Sequence, residues 1–374
     1  MTTSTLQSSG KRRRIGLGND RGSVIIMAAV ALVALFSFAV LTIDGAILMT
    51  TKNQLQAAAD AAALAGASGL VNGSQDVATA RAIQFASFNR AVEDTRRPVI
   101  ISAADVTFPE DGMIRVRTHR TEATGDPLHT YFMRIVNLGS NNLSDVSAVA
   151  AASVYDVCAA DCVKPWAIPD RWDDVNGNGQ MDAGEPYDPV ATGYQAPGDV
   201  GASIVLKVGN PQQAISPGQF FPIDLPPLDC PCGISPETGG AQYRWNISNC
   251  NPYTVGPGDR LQLEPGNMVG PTQQGMQELI DLDPGATWNA SAQTIEGSAF
   301  GLSPRVVLVP FFDPASPPVQ GRNWVRIVKI GAFFLEAMGP GSEVRGRFIK
   351  VTIDGEPCAV KTAGTFVKGI QLVE

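Results

Sequence analysis

Residues 22–43 read GSVIIMAAVALVALFSFAVLTI, a run without a charged side chain. As a helix, the stretch from Ser23 to Ile43 reaches about 31 Å at 1.5 Å per residue, the thickness of one bilayer core. Lys11, Arg12, Arg13, Arg14 and Arg21 precede it. Positive charge of this kind stays cytoplasmic, so the stretch predicts an N-in, C-out topology with everything after Asp44 outside. A cleaved secretory signal has an apolar region of about 7 to 15 residues followed closely by a small-residue cleavage site. Here the run is longer and Asp44 follows it, so the reading is a retained anchor.

Working outward, residues 51–70 read TKNQLQAAADAAALAGASGL. Alanine is the strongest helix former, so a helical stalk is expected to continue out of the membrane. Unbroken from Ser23 to Ala67, it would reach about 68 Å, with Gly45 and Gly66 as places for a bend or an end. Ala58, Ala62 and Gly66 recur at spacing four on one face, where small side chains let another backbone approach closely. Such a strip fits packing on the protein's own domain and fits a partner helix equally.

Arg21-Gly22-Ser23-Val24 opens the span, Asp44-Gly45 closes it, and Leu55-Gln56-Ala57-Ala58-Ala59-Asp60-Ala61-Ala62-Ala63-Leu64-Ala65-Gly66-Ala67 follows. In this combination the region resembles the N-terminal part of TadG-like proteins of the TadE/TadG family, which act in Flp (Tad) pilus assembly. The resemblance covers residues 20–70 and extends by pattern to residue 155. It implies a bacterial inner-membrane protein facing the periplasm. It also implies a structural or assembly role with the tight-adherence pilus machinery, with other pilus-assembly or secretion proteins as partners through the transmembrane and stalk helix. Two features depart from the family. Pilin-type precursors of the pathway carry glutamate five residues after the processing glycine, where this chain has Met27 after Gly22, so prepilin processing is not carried over. Many TadG-like chains also hold a von Willebrand type A domain with an Asp-x-Ser-x-Ser metal site, and the sequence contains no such triplet. The integrin-like mechanism is therefore not carried over either.

After the stalk, residues 76–91 (DVATARAIQFASFNRA) place Val77, Ala80, Ile83, Phe85 and Phe88 near helical spacing behind a capping aspartate. Residues 99–101, 105–108 and 113–118 read as strands, with Glu110-Asp111-Gly112 as a hairpin turn. A helix is expected over 127–138, where Pro127 suits a first turn and Leu128, Phe132, Ile135 and Val136 share a face. Residues 147–157 alternate as a strand. From Cys158 the texture changes to dense Gly and Pro with short apolar runs. Strands are expected over 203–208, 260–263, 305–310, 324–335 and 345–353, and a helix over 273–282.

Residues 174–185 read DVNGNGQMDAGE. Calcium takes six to eight hard oxygens, and the twelve-residue calcium loop draws them from fixed positions. Asp174, Asn176 and Asn178 stand at positions 1, 3 and 5, Gly179 at the sharp turn, Gln180 at the backbone-carbonyl position, Asp182 at 9 and Glu185 at the bidentate twelfth. Pro169 before the loop and Pro186 after it argue against flanking helices. The loop is read as a lone structural calcium brace; the same residues also suit an Asx-rich turn.

Cys158, Cys162, Cys230, Cys232, Cys250 and Cys358 all follow the anchor, where an oxidising compartment favours disulfides. Cys158 with Cys162 is the expected local pair, leaving Cys230, Cys232, Cys250 and Cys358 for two more. Zinc at Cys230-Pro231-Cys232 is the alternative, weakened by the absence of nearby histidines. The only histidines, His119 and His129, are read as surface or packing residues. Trp166, Trp172 and Tyr187 around the acidic loop could present a glycan-binding face or serve as core cover.

The net charge of -8 hides an asymmetry. Five cations against Asp20 make the first 21 residues +4 and leave -12 for the remainder, which argues against nucleic-acid binding by the body. Hydrophobic residues make up 44 % of the chain, enough for a sizeable core. Gly-x-Ser-x-Gly, His-Glu-x-x-His and the phosphate-binding Gly-x-x-x-x-Gly-Lys are all absent from the sequence, and a non-enzymatic role is expected. The architecture expected is α+β: a cytoplasmic basic tail (1–21), a transmembrane helix (22–43), an Ala-rich helical stalk (44–70), a small α/β domain (71–157) and a β-rich, loop-dense domain (158–374). The function expected is a membrane-anchored, periplasm-facing component of Tad/Flp pilus assembly. An anchored calcium-dependent adhesin or ligand-binding module is the alternative.

Overall fold

The apolar run and the alanine-rich stretch form one helix, α1, over Arg21–Asn72. This computed structural model describes residues 21–91, 98–130, 143–207, 221–226, 239–266, 268–318, 323–339, 343–359 and 364–373. The helix is about 78 Å long at 1.5 Å per residue and continues through both Gly45 and Gly66. Val24 to Phe38 are all exposed. By length and hydropathy α1 can cross a membrane. The chain divides into two compact units, one of Met1–Ala58, Phe88–Val99 and Thr118–Ala148, the other of Ala59–Ser87, Ile100–Arg117 and Val149–Glu374.

In the first unit, the Thr118 hydroxyl donates to the Leu55 carbonyl at 2.8 Å, and Arg120 pairs with Asp126 at 2.9 Å. The helix expected from residue 127 is not how that segment begins. Leu128–His129 is a strand (β3) paired antiparallel with Leu143–Ser144 (β4). Cross-strand hydrogen bonding overrides the local helical spacing, and residues 131–142 lie outside the described residues. The strand expected over 99–101 does not form; the pairing there is an isolated bridge between Arg90 and Pro98, with Val99 N–H on Asn89 O at 2.9 Å.

In the second unit, α2 (Gln75–Phe88) forms where the periodicity places it, with the opposite face inward. Ala78, Ala82 and Ala86 are buried, while Val77, Phe85 and Phe88 are exposed. The reason is distance. A Cβ on Gly69 of α1 would fall 2.7 Å from Ala78 Cα, so only alanine-sized side chains fit between the helices. Gly66 is packed by Ile114, Ala78 and Ala82, and Ala58 and Ala62 are fully buried. The small-residue strip of the stalk therefore packs on the protein itself.

The sheet beside these helices runs β1 (Val106–Thr107), β2 (Met113–Arg120), β5 (Val146–Ala159), β17 (Val367–Val373) and β15 (Val351–Thr352), with β16 (Glu356–Pro357) also paired to β5. The expected hairpin turn is present: Met113 N–H bonds Glu110 O at 3.1 Å, and Gly112 takes φ 79°. On β2, Ile114 and Val116 are buried while Arg115 and Arg117 are exposed, the period-two pattern of a half-buried strand.

The second sheet closes into a small barrel. Its order is β12 (Val306–Phe312), β6 (Trp166–Pro169), β8 (Phe221–Asp224), β9 (Arg260–Leu263) and β13 (Trp324–Met338), and β12 pairs again with β13. Only the β12–β6 contact is parallel. From β13 the sheet extends through β14 (Val344–Phe348) to β7 (Ser203–Lys207). A separate hairpin of β10 (Thr287–Asn289) and β11 (Thr294–Glu296) packs on the core through Trp288 and Ile295, and helices α3 (Gly240–Ser248) and α4 (Val269–Leu282) pack together. The α+β reading holds.

Aromatic rings fill the barrel end. Phe348 contacts Phe333 at 4.5 Å, Tyr194 at 4.7 Å and Phe366 at 4.8 Å between centroids. Each fully buried phenylalanine contributes about 1.5–3 kcal/mol by removal from water. Trp166 has no exposed surface and donates its indole N–H to the Tyr243 hydroxyl at 2.8 Å. Gly331 on β13 makes room for the Phe311 ring, which a Cβ there would strike.

Candidate functional site

The acidic loop is brought together as a single hydrogen-bonded unit. Asp174 accepts from Gly179 N–H (2.7 Å) and Asn178 N–H (3.2 Å). Asn176 Oδ1 accepts from Asn178 N–H, and Asn178 Oδ1 from Gln180 N–H. Asp182 Oδ2 accepts from both Asn176 and Asn178 side-chain amides, at 2.8 and 2.6 Å. Glu185 returns to the start, with Oε1 on Val175 N–H (3.1 Å) and Oε2 on Asp182 N–H (3.0 Å). Gly177, Gly179 and Gly184 all take positive φ, a conformation that favours glycine. The base is closed by Asp173 N–H on Pro186 O at 3.1 Å.

Helices do not flank the loop: β6 ends at Pro169, and turns and bends follow up to β7. The five side chains singled out from the sequence (Asp174, Asn176, Asn178, Asp182 and Glu185) thus meet within twelve residues. Gln180, expected to offer its backbone carbonyl, enters the hydrogen-bonded unit through its backbone N–H. Hydrogen bonds from Asn176 and Asn178 hold the Asp182 carboxyl below its usual range. Chemically, the loop offers exposed anionic and amide oxygens on a turn whose path is set by glycine, a donor set of the hard-oxygen kind.

Immediately below the loop lies a cluster that sequence reasoning missed. Asp170 is fully buried. It pairs with Lys329 Nζ at 2.6 Å and accepts from the Tyr187 hydroxyl at 3.0 Å, and from the N–H groups of Arg171 and Tyr194 at 2.9 Å each. Lys329 Nζ also donates to the carbonyls of Tyr194 (2.8 Å) and Pro189 (3.3 Å). Burial pushes the Asp170 carboxyl up against the opposing effect of Lys329, and burial pushes the lysine amine down. Tyr187 is raised by burial and then by the neighbouring Asp170 charge. No local signal could have found this cluster, since Lys329 comes from β13, more than 150 residues along the chain.

The cysteine pairing differs from the local expectation. Cys158 bonds Cys358, and Cys162 bonds Cys250. The expected Cys158–Cys162 bridge does not form, because Cys158 points along β5 toward β16 while Cys162 has left the strand beside Asn251, to whose carbonyl its N–H bonds. No free cysteine occurs among the described residues, and Cys230 and Cys232 lie outside them.

Trp166 is 0 % and Trp172 6 % exposed, so both rings are core cover and offer no glycan face. His119 is half-buried on β2. His129 stands on β3 rather than opening a helix. A cavity of about 280 Å³ is walled by residues including Pro189, Tyr194, Val328, Phe366 and the Cys158–Cys358 bridge.

Compared with known proteins, residues 22–69 match the family model described as Putative Flp pilus-assembly TadE/G-like. The matched stretch is the membrane-length and alanine-rich part of α1. No curated protein and no solved structure matches the chain.

Proposed function

We propose that this chain is a membrane-anchored structural component of the Flp pilus assembly machinery, with its N-terminus cytoplasmic and its body on the periplasmic side. The observation that carries the reading is the coincidence of the TadE/G-like match with one continuous helix whose residues 24–38 are wholly exposed. A fully exposed apolar half-helix is costly in water and favourable in a bilayer. The basic residues at 11–14 and 21 support the N-in orientation. Because the small-residue strip of the stalk is occupied by α2 and Ile114, partner contacts of α1 fall on its membrane-length part and its remaining surface.

The loop from Asp174 to Glu185 is assigned in this reading as a calcium brace: Asp174, Asn176, Asn178, Asp182 and Glu185 would hold the ion by side-chain oxygens and Gln180 by its carbonyl. The ion would relieve repulsion among three carboxylates that converge on one turn. The role is structural stiffening, and no catalytic step is assigned. Copurification from gently solubilised membranes tests the assembly role. Recovery with pilus-secretion proteins is expected. Recovery with an external ligand and without any such protein would favour an adhesin and overturn the proposal.

A further inference from the structure

The two oxygens of the buried Asp170 carboxyl are held in different ways. Oδ1 sits between two backbone donors, Arg171 N–H and Tyr194 N–H, each at 2.9 Å. Oδ2 lies 2.6 Å from Lys329 Nζ and accepts from the Tyr187 hydroxyl at 3.0 Å. The amine is aimed by the carbonyls of Tyr194 and Pro189 and rests over the Phe311 ring, 5.5 Å from its centroid. Gly193 packs so tightly on the pair that a Cβ there would collide with both Asp170 Oδ2 and Lys329 Nζ. A simple ion pair needs none of this asymmetry.

We propose that Asp170 and Lys329 condense to an intramolecular amide that cross-links the barrel. The parts of an acyl transfer are in place: a nucleophile in contact with the carboxyl group, two preorganised amide donors on the oxygen that becomes the oxyanion, and a hydroxyl on the oxygen that leaves. Lys329 Nζ attacks the Asp170 carboxyl carbon, the new C–N bond forms, and negative charge on Oδ1 is taken up by the Arg171 and Tyr194 N–H groups. Oδ2, which carries the proton of the neutral acid, takes a second proton from the nitrogen 2.6 Å away while the Tyr187 hydroxyl hydrogen-bonds that same oxygen, the C–Oδ2 bond breaks, and water departs. Acid plus amine gives amide plus water, so no oxidant or activating group is required.

Burial supports the reactive protonation states, since it raises the carboxyl and lowers the amine, moving the pair toward neutral acid and neutral amine. Condensation is unfavourable in dilute water, but effective molarities of about 10⁵–10⁸ M for well-oriented groups offset this. The link would join the end of β6 to β13. Those strands flank β12 on either side, so it would tie two strands across a third. The inference stands independently of the pilus and calcium readings.

The test uses the full chain, purified in detergent, reduced, denatured and digested with trypsin. Expected are one branched peptide joining Asp170 to Lys329 and an intact mass about 18 Da below that of the unlinked chain, the loss of one water. Lys329→Arg should yield only the linear peptides. Tyr187→Phe should leave a measurable unlinked fraction, and complete linkage in that variant would remove Tyr187 from the mechanism. Wild-type protein that gives the two peptides separately, with no branched species, would overturn the proposal and leave an ordinary ion pair; this result does not depend on any variant folding.

Discussion

Lys164 offers a quantitative test of how the β-rich body is held. Its side chain is almost fully buried, 6 % exposed, and Nζ donates to the Asn249 carbonyl at 2.8 Å. Among the described residues no carboxylate pairs with it, and desolvation lowers its amine to about 7 from 10.5. Because the folded pKa lies below the unfolded one, the unfolded chain binds the extra proton between about pH 7 and 10.5. Stability from this site is therefore full above the unfolded pKa and is lost as pH falls through the folded one. At 1.36 kcal/mol per unit, a shift of this size costs the fold about 5 kcal/mol at pH 6. Lys164→Met keeps a straight apolar stem of similar length and removes the charge. Urea unfolding of both proteins at pH 6, 8 and 10 should show the variant more stable by several kcal/mol at pH 6, with the gap closing as pH approaches 10. Other groups titrate in both proteins and cancel in the difference. A variant no more stable than wild type at pH 6, or a gap that does not change with pH, would refute the assignment of a desolvated, unpaired amine.

Three further outcomes are expected. Gly69→Ala improves local helix propensity but drives a methyl into Ala78 Cα and N of α2, so it should cost about 1–3 kcal/mol; Gly45→Ala, with nothing within 4 Å, should be neutral or stabilising in the same thermal melt. Replacing both Cys158 and Cys358 by serine should cost about 2–5 kcal/mol, and peptide mapping of unreduced protein should recover the 158–358 and 162–250 pairs; a 158–162 peptide would contradict the pairing. Millimolar calcium should stabilise the fold by about 1.8 kcal/mol at twentyfold excess over the dissociation constant and so raise the melting midpoint above a magnesium control. Glu185→Gln should lose most of that gain, and an unchanged midpoint would leave the loop as a turn.

Much of the architecture was legible wherever a residue's state depends on its near neighbours in sequence. The apolar run and the alanines of α1, the strand at Arg260–Leu263, most of the strand at Trp324–Met338 and the body of α4 follow from local periodicity and punctuation, while α4 starts at Val269, four residues before the expected 273, and takes Gly270 and Pro271 into its first turn. So does the self-bonded loop from Asp174 to Glu185, because its donors and acceptors lie within twelve residues of one another. Short elements such as β6 and β8 carry too few residues to show a period, and α3 lacks an amphipathic pattern.

What local reading could not reach is everything decided by long-range proximity. Periodicity marked the larger apolar residues Val77, Phe85 and Phe88 of α2 as helically spaced, but it is the alanines that face inward, because Gly66 and Gly69 set an approach too close for larger side chains. The segment at Leu128 became a strand because β4 supplied a partner for its backbone. Cys158 found Cys358 across 200 positions and Asp170 found Lys329 on β13, since β5 with β16 and β6 with β12 and β13 bring those chains side by side. Sequence alone determined the long apolar and alanine-rich helix, the strand-rich body and the acidic loop, because hydrophobic period and turn chemistry act over a few residues. The tertiary structure decided which helix face is inner, how the cysteines pair and which buried charges meet, because packing distance and strand pairing join residues that the chain keeps far apart.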